Sequence, residues 1–533
     1  MKPHVRNFIL YFVICQILLA VTNWPFYVHR VVGVPAGKVS PMVHGGHVDY
    51  FTYIGFIRES KDGAWQIPAL YTSEPTQKTS VYVFYILLGK IAKIFNLSPI
   101  SMYHIARIFS AELFFLSIYF VVSLLVSPPL VLASCVMGLF STVPLLFGRI
   151  ALWDQTYAKN WWYNLDPLFR ADYVPHHHIA LACAFVAVGF WIRFVRSKKS
   201  SLLVGTSVLS FLASVIYPTS GLICAPAIGS YFLSRKVWRQ KTMWTAGVVG
   251  MLSILVGLLL VRFEAAKGFP WDQWLSWDII HWNAYPHFSR DFVVAAGFTG
   301  ILAIPAFAAA VRRWHIEDRI IVIWTVLPYV ILPFVTTLGL ATIRLGFLAN
   351  FIPFGILAVG TVKMGIDRIS NKGMKNIVTV LMTLVLTGLF FPTTMQYYQS
   401  KEAQHAYGGP EFFLTTGEYE GITYLSTHVN DHSVVLSTGA IGLMIPAYGN
   451  LISCCSHPVH TKNYDEKNWF AQRFFGGVMT PDEAKTFIAS NRISYLFMGP
   501  QEHLGRGDIM AYGISFTVLW SNDTVTIYRV FGP

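Results

Sequence analysis

Residues 105–126 read IARIFSAELFFLSIYFVVSLLV, 22 positions of which only Arg107 and Glu112 are charged. A helix of that length rises about 33 Å, enough to cross a hydrocarbon core of about 30 Å. Ionisable groups inside a span are expensive and usually have a partner or a role. Arg107 begins this span and Glu112 lies between one and two turns deeper, so a structural Arg–Glu pair and a binding role are both open.

The same kind of apolar run recurs outward from this segment, at 7–24, 130–148, 177–194, 201–217, 219–234, 243–261, 292–311, 320–338, 344–362 and 376–394. Hydropathy therefore predicts a polytopic α-helical membrane protein of about 11 spans. Of the 533 residues, 54% are hydrophobic and 13% charged, against about 25% charged in a soluble domain. The mean hydropathy is +0.50. The short pair 201–217 and 219–234, with YPTSG between, reads as a tight or re-entrant hairpin. The opening MKPHVRN runs into apolar Phe8–Val21 with no small-residue cleavage site after it, which reads as a retained first span.

The formal charge of +13 does not point to nucleic acid, because the basic residues sit between spans. Arg196, Lys198 and Lys199; Arg235, Lys236, Arg239 and Lys241; Arg312, Arg313 and Arg319; and Lys363, Arg368, Lys372 and Lys375 all fall on one side if the N-terminus is cytoplasmic. The positive-inside rule then sets that orientation. Loops 25–104, 149–176 and 263–291 lie outside, as does the tail. Within the tail, SVVLST, ISYLFMG and TVTIYRV alternate with helical patterns such as 481–490, predicting a soluble α/β domain over 399–533 behind a transmembrane domain over 1–398. Four of the six cysteines lie in apolar runs and Cys454 and Cys455 are adjacent, so neither a disulfide framework nor a zinc site is indicated.

The outer loops hold the chemistry. Asp49, in GGHVDYFTYIGFIRES, stands near a helix start, where an N-cap is the structural account. Glu74 and Lys78 flank the proline turn of YTSEPTQKT; together they suit a phosphate or a sugar hydroxyl, or form a solvated ion pair. Residues 78–95, with Lys78, Lys90 and Lys93, form an amphipathic stretch suited to the membrane interface. The second outer loop offers Asp154, Asp166, Arg170, Asp172 and His176, His177 and His178. Three consecutive histidines do not share a helix face, which argues against one metal held by all three. Arg344 heads a span from outside, against the charge trend, and either binds a lipid phosphate or snorkels to the interface. No nucleotide-loop, dinucleotide, metalloprotease or serine-hydrolase signature stands in a credible context.

This layout resembles the GT-C superfamily of integral membrane glycosyltransferases, over nearly the whole chain. The likeness rests on a first span followed by a long outer loop holding an acid, HVDYFTYIGFIRES. It continues through YTSEPTQKTSVYVFYILLG, similar to the proline turn and juxtamembrane helix of protein mannosyltransferase-like and aminoarabinose-transferase-like members. It implies a polyprenyl- or dolichyl-phosphate-linked sugar donor, inverting transfer at the outer face, and a glycan, lipid or protein acceptor. Asp49 would be the general base, Lys78 and Arg344 would stabilise the phosphate leaving group, and Glu74 and His177 would contact sugar or acceptor; Arg107, as an ionisable residue in a span, is a further substrate-binding candidate. Asp49 is followed by Tyr50, not by a second acid, so a divalent metal is left open. Two other classes remain: a transporter or flippase, which calls for repeats and broken helices at the midplane, and a non-catalytic assembly protein that works through its tail.

Overall fold

The computed structural model describes residues 3–140, 173–233, 240–273, 296–335, 337, 341–505 and 507–531. Asp154, Asp166, Arg170, Asp172, Arg235, Lys236 and Arg239 lie outside the described residues, as do much of loops 149–176 and 263–291. The chain is an α-helical membrane protein with a small sheet region towards its C-terminus. Among the described residues, five helices are long and apolar enough to cross a membrane: Val5–Val32, Pro99–Leu125, Pro175–Ser197, Lys241–Ala265 and Lys372–Ala406. Other expected spans appear as shorter helices, including Pro128–Leu139, Ser200–Ile216, Gly297–Arg313, Ile316–Ile331 and Phe351–Asp367.

Two compact units share the chain. One comprises Met1–Trp24, Arg107–Arg262 and Asp278–Glu402; the other Pro25–Ala106, Phe263–Trp277 and Ala403–Pro533. The changeovers at 24/25, 106/107, 262/263 and 402/403 fall within helices.

The first unit is a bundle with an apolar core that includes Tyr11, Phe114, Phe185, Trp191, Trp324 and Phe351. Helices Pro128–Leu139 and Phe351–Asp367 approach closely. A Cβ on Gly355 would lie 2.6 Å from the Gly138 backbone nitrogen, the small-residue contact that brings helices together in lipid. The expected span at 344–362 starts later than the sequence suggests. Thr342–Leu348 is a 3-10 turn, Ala349 takes φ 53°, and the helix begins at Phe351. Pro353 has no N–H for a carbonyl four residues earlier, so it favours the first turn of a helix over its interior. Arg344 thus sits on the turn ahead of the helix. The 201–234 segment is broken as expected: helix Ser200–Ile216, extended Tyr217, a turn at Pro218–Gly221, then helix Cys224–Phe232.

The second unit joins residues 25–106 to the tail. Its five-stranded sheet has order β4-β3-β5-β7-β6, from β3 (Val434–Leu436), β4 (Ile452–Ser453), β5 (Ile493–Met498), β6 (Phe516–Ser521) and β7 (Thr526–Val530). β3 runs parallel to β4 and β5, while β7 is antiparallel to β5 and β6. β3, β5, β7 and helix Pro481–Ser490 match the sequence reading. Capping boxes at Thr415/Glu418 and Thr480/Glu483 start two of the tail helices. The loop is built into this fold. β1 (Lys38–Val39) pairs antiparallel with β2 (Leu414–Thr415), Ser453 donates its N–H to Leu70 at 2.9 Å, and the Tyr71 hydroxyl donates to the Leu443 carbonyl at 3.1 Å.

Candidate active site

Asp49 lies in the first turn of α2, the helix His47–Lys61, whose N-cap is Gly46. Asp49 is therefore not the N-cap the sequence suggests. Gly46 has no capping side chain, and its carbonyl accepts the first intrahelical bond, from Tyr50 N–H at 3.0 Å. A carboxylate in a first turn is favoured by the N-terminal dipole. From Tyr50 to Ser60 every residue of α2 is buried, so the helix is a fixed platform for this acid. Tyr53 stacks on Tyr85 of the following helix at 4.1 Å and 9°. Burial raises the Tyr85 phenol well above its ordinary range, and Asp49 is among the charges that raise it further. His47 is held below its usual value by burial, partly offset by Glu411.

An aromatic and imidazole cluster borders the start of α2. Phe26 meets His44, His104 and His405 at 5.2, 5.1 and 5.9 Å between ring centroids. His104 Nε2 donates to the Met42 carbonyl at 3.0 Å, and the Tyr50 hydroxyl donates to the Pro41 carbonyl at 3.0 Å. Nothing in the sequence spacing pairs residues 26, 44, 104 and 405. Among the described residues, no group of three or more His, Cys, Asp or Glu is arranged to hold a metal ion.

Glu74 and Lys78 do not pair with each other. Glu74 takes its ammonium from Lys467 on helix Tyr464–Phe475, at 2.8 Å, and also accepts from the Thr72 hydroxyl. Burial raises the Glu74 carboxyl, but the Lys467 and Thr72 bonds outweigh it and hold the group below its usual range. Lys78 is exposed. Its carbonyl accepts from Lys267 at 3.2 Å, and the same turn is gripped by Glu264, which accepts from Ser80 N–H at 2.6 Å, and by Trp271, which donates to the Gln77 carbonyl at 2.6 Å. The helix Val83–Ile94 that follows turns Tyr85, Ile86 and Ala92 inward and leaves Leu87, Ile91 and Ile94 exposed.

Arg107, His177 and Arg344 belong to the first unit. Buried Arg107 donates to the Asn23 side-chain oxygen, and Glu112 accepts from Gln16 at 2.7 Å. Arg107 and Glu112 thus each join the N-terminal helix, and the Arg–Glu pair is not formed. The three histidines open helix Pro175–Ser197 and do not all face one way. His178 Nδ1 faces the Ser110 hydroxyl at 3.4 Å. His176 and His177 lie against the Tyr217 ring, at 5.8 and 4.7 Å. The Tyr217 hydroxyl in turn accepts from Arg344. Arg344 and His177, two sequence candidates, therefore meet on Tyr217, which the sequence reading noted only as part of the YPTSG interruption.

No family model and no curated protein matches the chain. Solved structures share its fold. The apo oligosaccharyltransferase of Archaeoglobus fulgidus superposes with a TM-score of 0.55 at 12% identity, over 97% of this chain and 74% of that one. The oligosaccharyltransferase AglB from the same organism, solved with an inhibitory peptide and a dolichol-phosphate, gives 0.55 at 13% identity, over 98% and 74%. The arabinofuranosyltransferase AftD from Mycobacteria gives 0.54 at 11% identity, over 97% of this chain and 40% of that one. The fold is GT-C-like.

Proposed function

We propose that the protein is a membrane glycosyltransferase that moves a sugar from a polyprenyl-phosphate-linked donor to an acceptor hydroxyl at the extracytoplasmic face, with inversion. The observation that carries the reading is the likeness in fold to the A. fulgidus oligosaccharyltransferase, over 97% of this chain and 74% of that one. An acid fixed in the first turn of a buried helix in the first outer loop supports it. The basic clusters between spans support a cytoplasmic N-terminus and an extracytoplasmic tail.

In this reading Asp49 takes the proton from the acceptor. The acceptor atom attacks the anomeric carbon while the bond to the phosphate oxygen breaks, and the lipid phosphate leaves as the anion. A placed carboxylate contributes about 10²–10⁴-fold to such a proton transfer. Arg344 offers a guanidinium where phosphate charge develops, with Lys78 as a second, exposed cation. His177, beside Arg344 on the Tyr217 ring, contacts sugar or acceptor.

The experiment gives purified protein radiolabelled polyprenyl-phosphate hexoses and compares wild type with Asp49→Asn for donor consumption. Turnover by wild type and a loss of at least about 10²-fold in the variant, with an unchanged unfolding temperature, is the expected result. Full turnover by Asp49→Asn removes the base, and no binding of any donor removes the glycosyltransferase reading.

A further inference from the structure

Tyr217 occupies the break between helix Ser200–Ile216 and the turn Pro218–Gly221, with φ −150° and ψ 100°. Pro218 disfavours helical geometry for the residue before it, so the chain extends here. The side chain is 7% exposed. Its ring lies 4.7 Å from His177, edge-on at 68°, and 5.8 Å from His176. Its hydroxyl accepts from Arg344 Nη1, and the Arg344 guanidinium carbon lies 5.5 Å from the ring centroid. Arg344 stands on a 3-10 turn between an extended Ala341 and a left-handed Ala349, so the regular helix that follows does not hold it.

We propose that Tyr217 is a positioning residue that fixes the Arg344 guanidinium for a phosphate monoester or diester. The inference rests on the proposed function and deepens it. An arginine side chain has many rotamers to lose, and a side chain already immobilised loses less entropy on binding. A guanidinium presents its N–H donors in a planar fork, a geometry that matches the oxygens of a phosphate. The phenol meets two needs at once. Its oxygen receives the guanidinium, and its ring packs on the imidazoles at the start of helix Pro175–Ser197, which ties Arg344 to His177.

The test measures binding of undecaprenyl phosphate to the detergent-solubilised full chain for wild type, Tyr217→Phe, Arg344→Ala and the double variant. Tyr217→Phe keeps the ring against His177 and is expected to bind about tenfold more weakly, or about 1.4 kcal/mol. Added to Arg344→Ala it costs nothing further, because a residue that acts through Arg344 has nothing left to position. Tyr217→His keeps a ring and an acceptor, and recovers most of the loss. Wild-type affinity in Tyr217→Phe overturns the inference, as does a second tenfold loss in the double variant. Wild type that does not bind undecaprenyl phosphate at all overturns the donor reading as well, which separates the two failures.

Discussion

Glu74 accepts from the Nζ of Lys467, 393 residues further along the chain, at 2.8 Å. The pair is asymmetric: the Lys467 side chain is 9% exposed and that of Glu74 is 31% exposed. Removing the carboxylate strands a desolvated ammonium, whereas removing the ammonium leaves a carboxylate that water still reaches. Glu74→Gln is expected to cost about 3 kcal/mol and Lys467→Met about 1 kcal/mol. Thermal and urea unfolding of the full chain checks the order. Equal costs would mean that Lys467 is better solvated than its burial implies.

Which parts of this molecule were legible follows from the range of the interactions. The spans were legible because each satisfies its own backbone in lipid and needs only local apolar length. Helix Pro481–Ser490 was legible from Thr480, Pro481 and Glu483, all within one turn. The short edge strand β4 carries no pattern of its own and is fixed by its neighbour β3. At the candidate site, Asp49, His177 and Arg344 stood out as ionisable residues in outer loops. Lys467 did not, because nothing near residue 467 reports a carboxylate at 74. The expected Glu74–Lys78 pair was a local guess that a nonlocal partner displaced, and the same holds for Arg107 and Glu112, each taken by the N-terminal helix.

Gly89 lies where helix Val83–Ile94 packs directly on α2. A Cβ there would lie 2.4 Å from the Ile57 carbonyl oxygen and 2.5 Å from the Ser60 Cβ. Backbone cannot yield as a flexible side chain can, so Gly89→Ala is expected to destabilise by about 1–3 kcal/mol. Since α2 carries Asp49, donor turnover falls with it. A stable, fully active Gly89→Val would show that the two helices tolerate separation.

Two sets of histidines in the tail give opposite pH dependences. The bond to Glu59 raises His432 above its ordinary 6.5, against burial. Its contribution is complete below about pH 6.5 and is lost as pH rises through the higher folded value. His457 and His460 stack at 4.3 Å. Burial holds His460 down at about 4 and His457 well below its usual value. These groups take up protons in the unfolded chain first, so stability falls as pH drops below 6.5, with a slope of up to about 1.4 kcal/mol per pH unit for each. His460 Nδ1 has no hydrogen-bond partner among the described residues. His460→Phe is therefore expected to keep stability near pH 7.5 and to flatten the acid limb by one histidine. His432→Gln flattens only the alkaline limb, by about 0.5 kcal/mol for a partly exposed pair. Unfolding temperatures from pH 4 to 9 read both, and an unchanged acid slope in His460→Phe sinks the assignment.

Removing the tail is the obvious way to ask whether the protein is an enzyme or a scaffold, and the structure says that experiment misleads. Arg58 is buried and donates its Nε–H to the Pro446 carbonyl at 3.0 Å. The Tyr71 carbonyl accepts from the Thr461 hydroxyl at 2.6 Å, and β1 has β2 as its partner. Deleting 407–533 removes these bonds, each at about 0.5–1.5 kcal/mol, and exposes the apolar face of α2. The expected outcome is a first loop cut readily by protease and a loss of donor binding, whatever the tail does. Surface variants separate the readings. Trp469 and Leu504 are 52% and 79% exposed, so Trp469→Ser and Leu504→Ser should leave folding intact. An enzyme keeps its donor turnover in both. A scaffold that binds through either residue loses its partner with the fold unchanged.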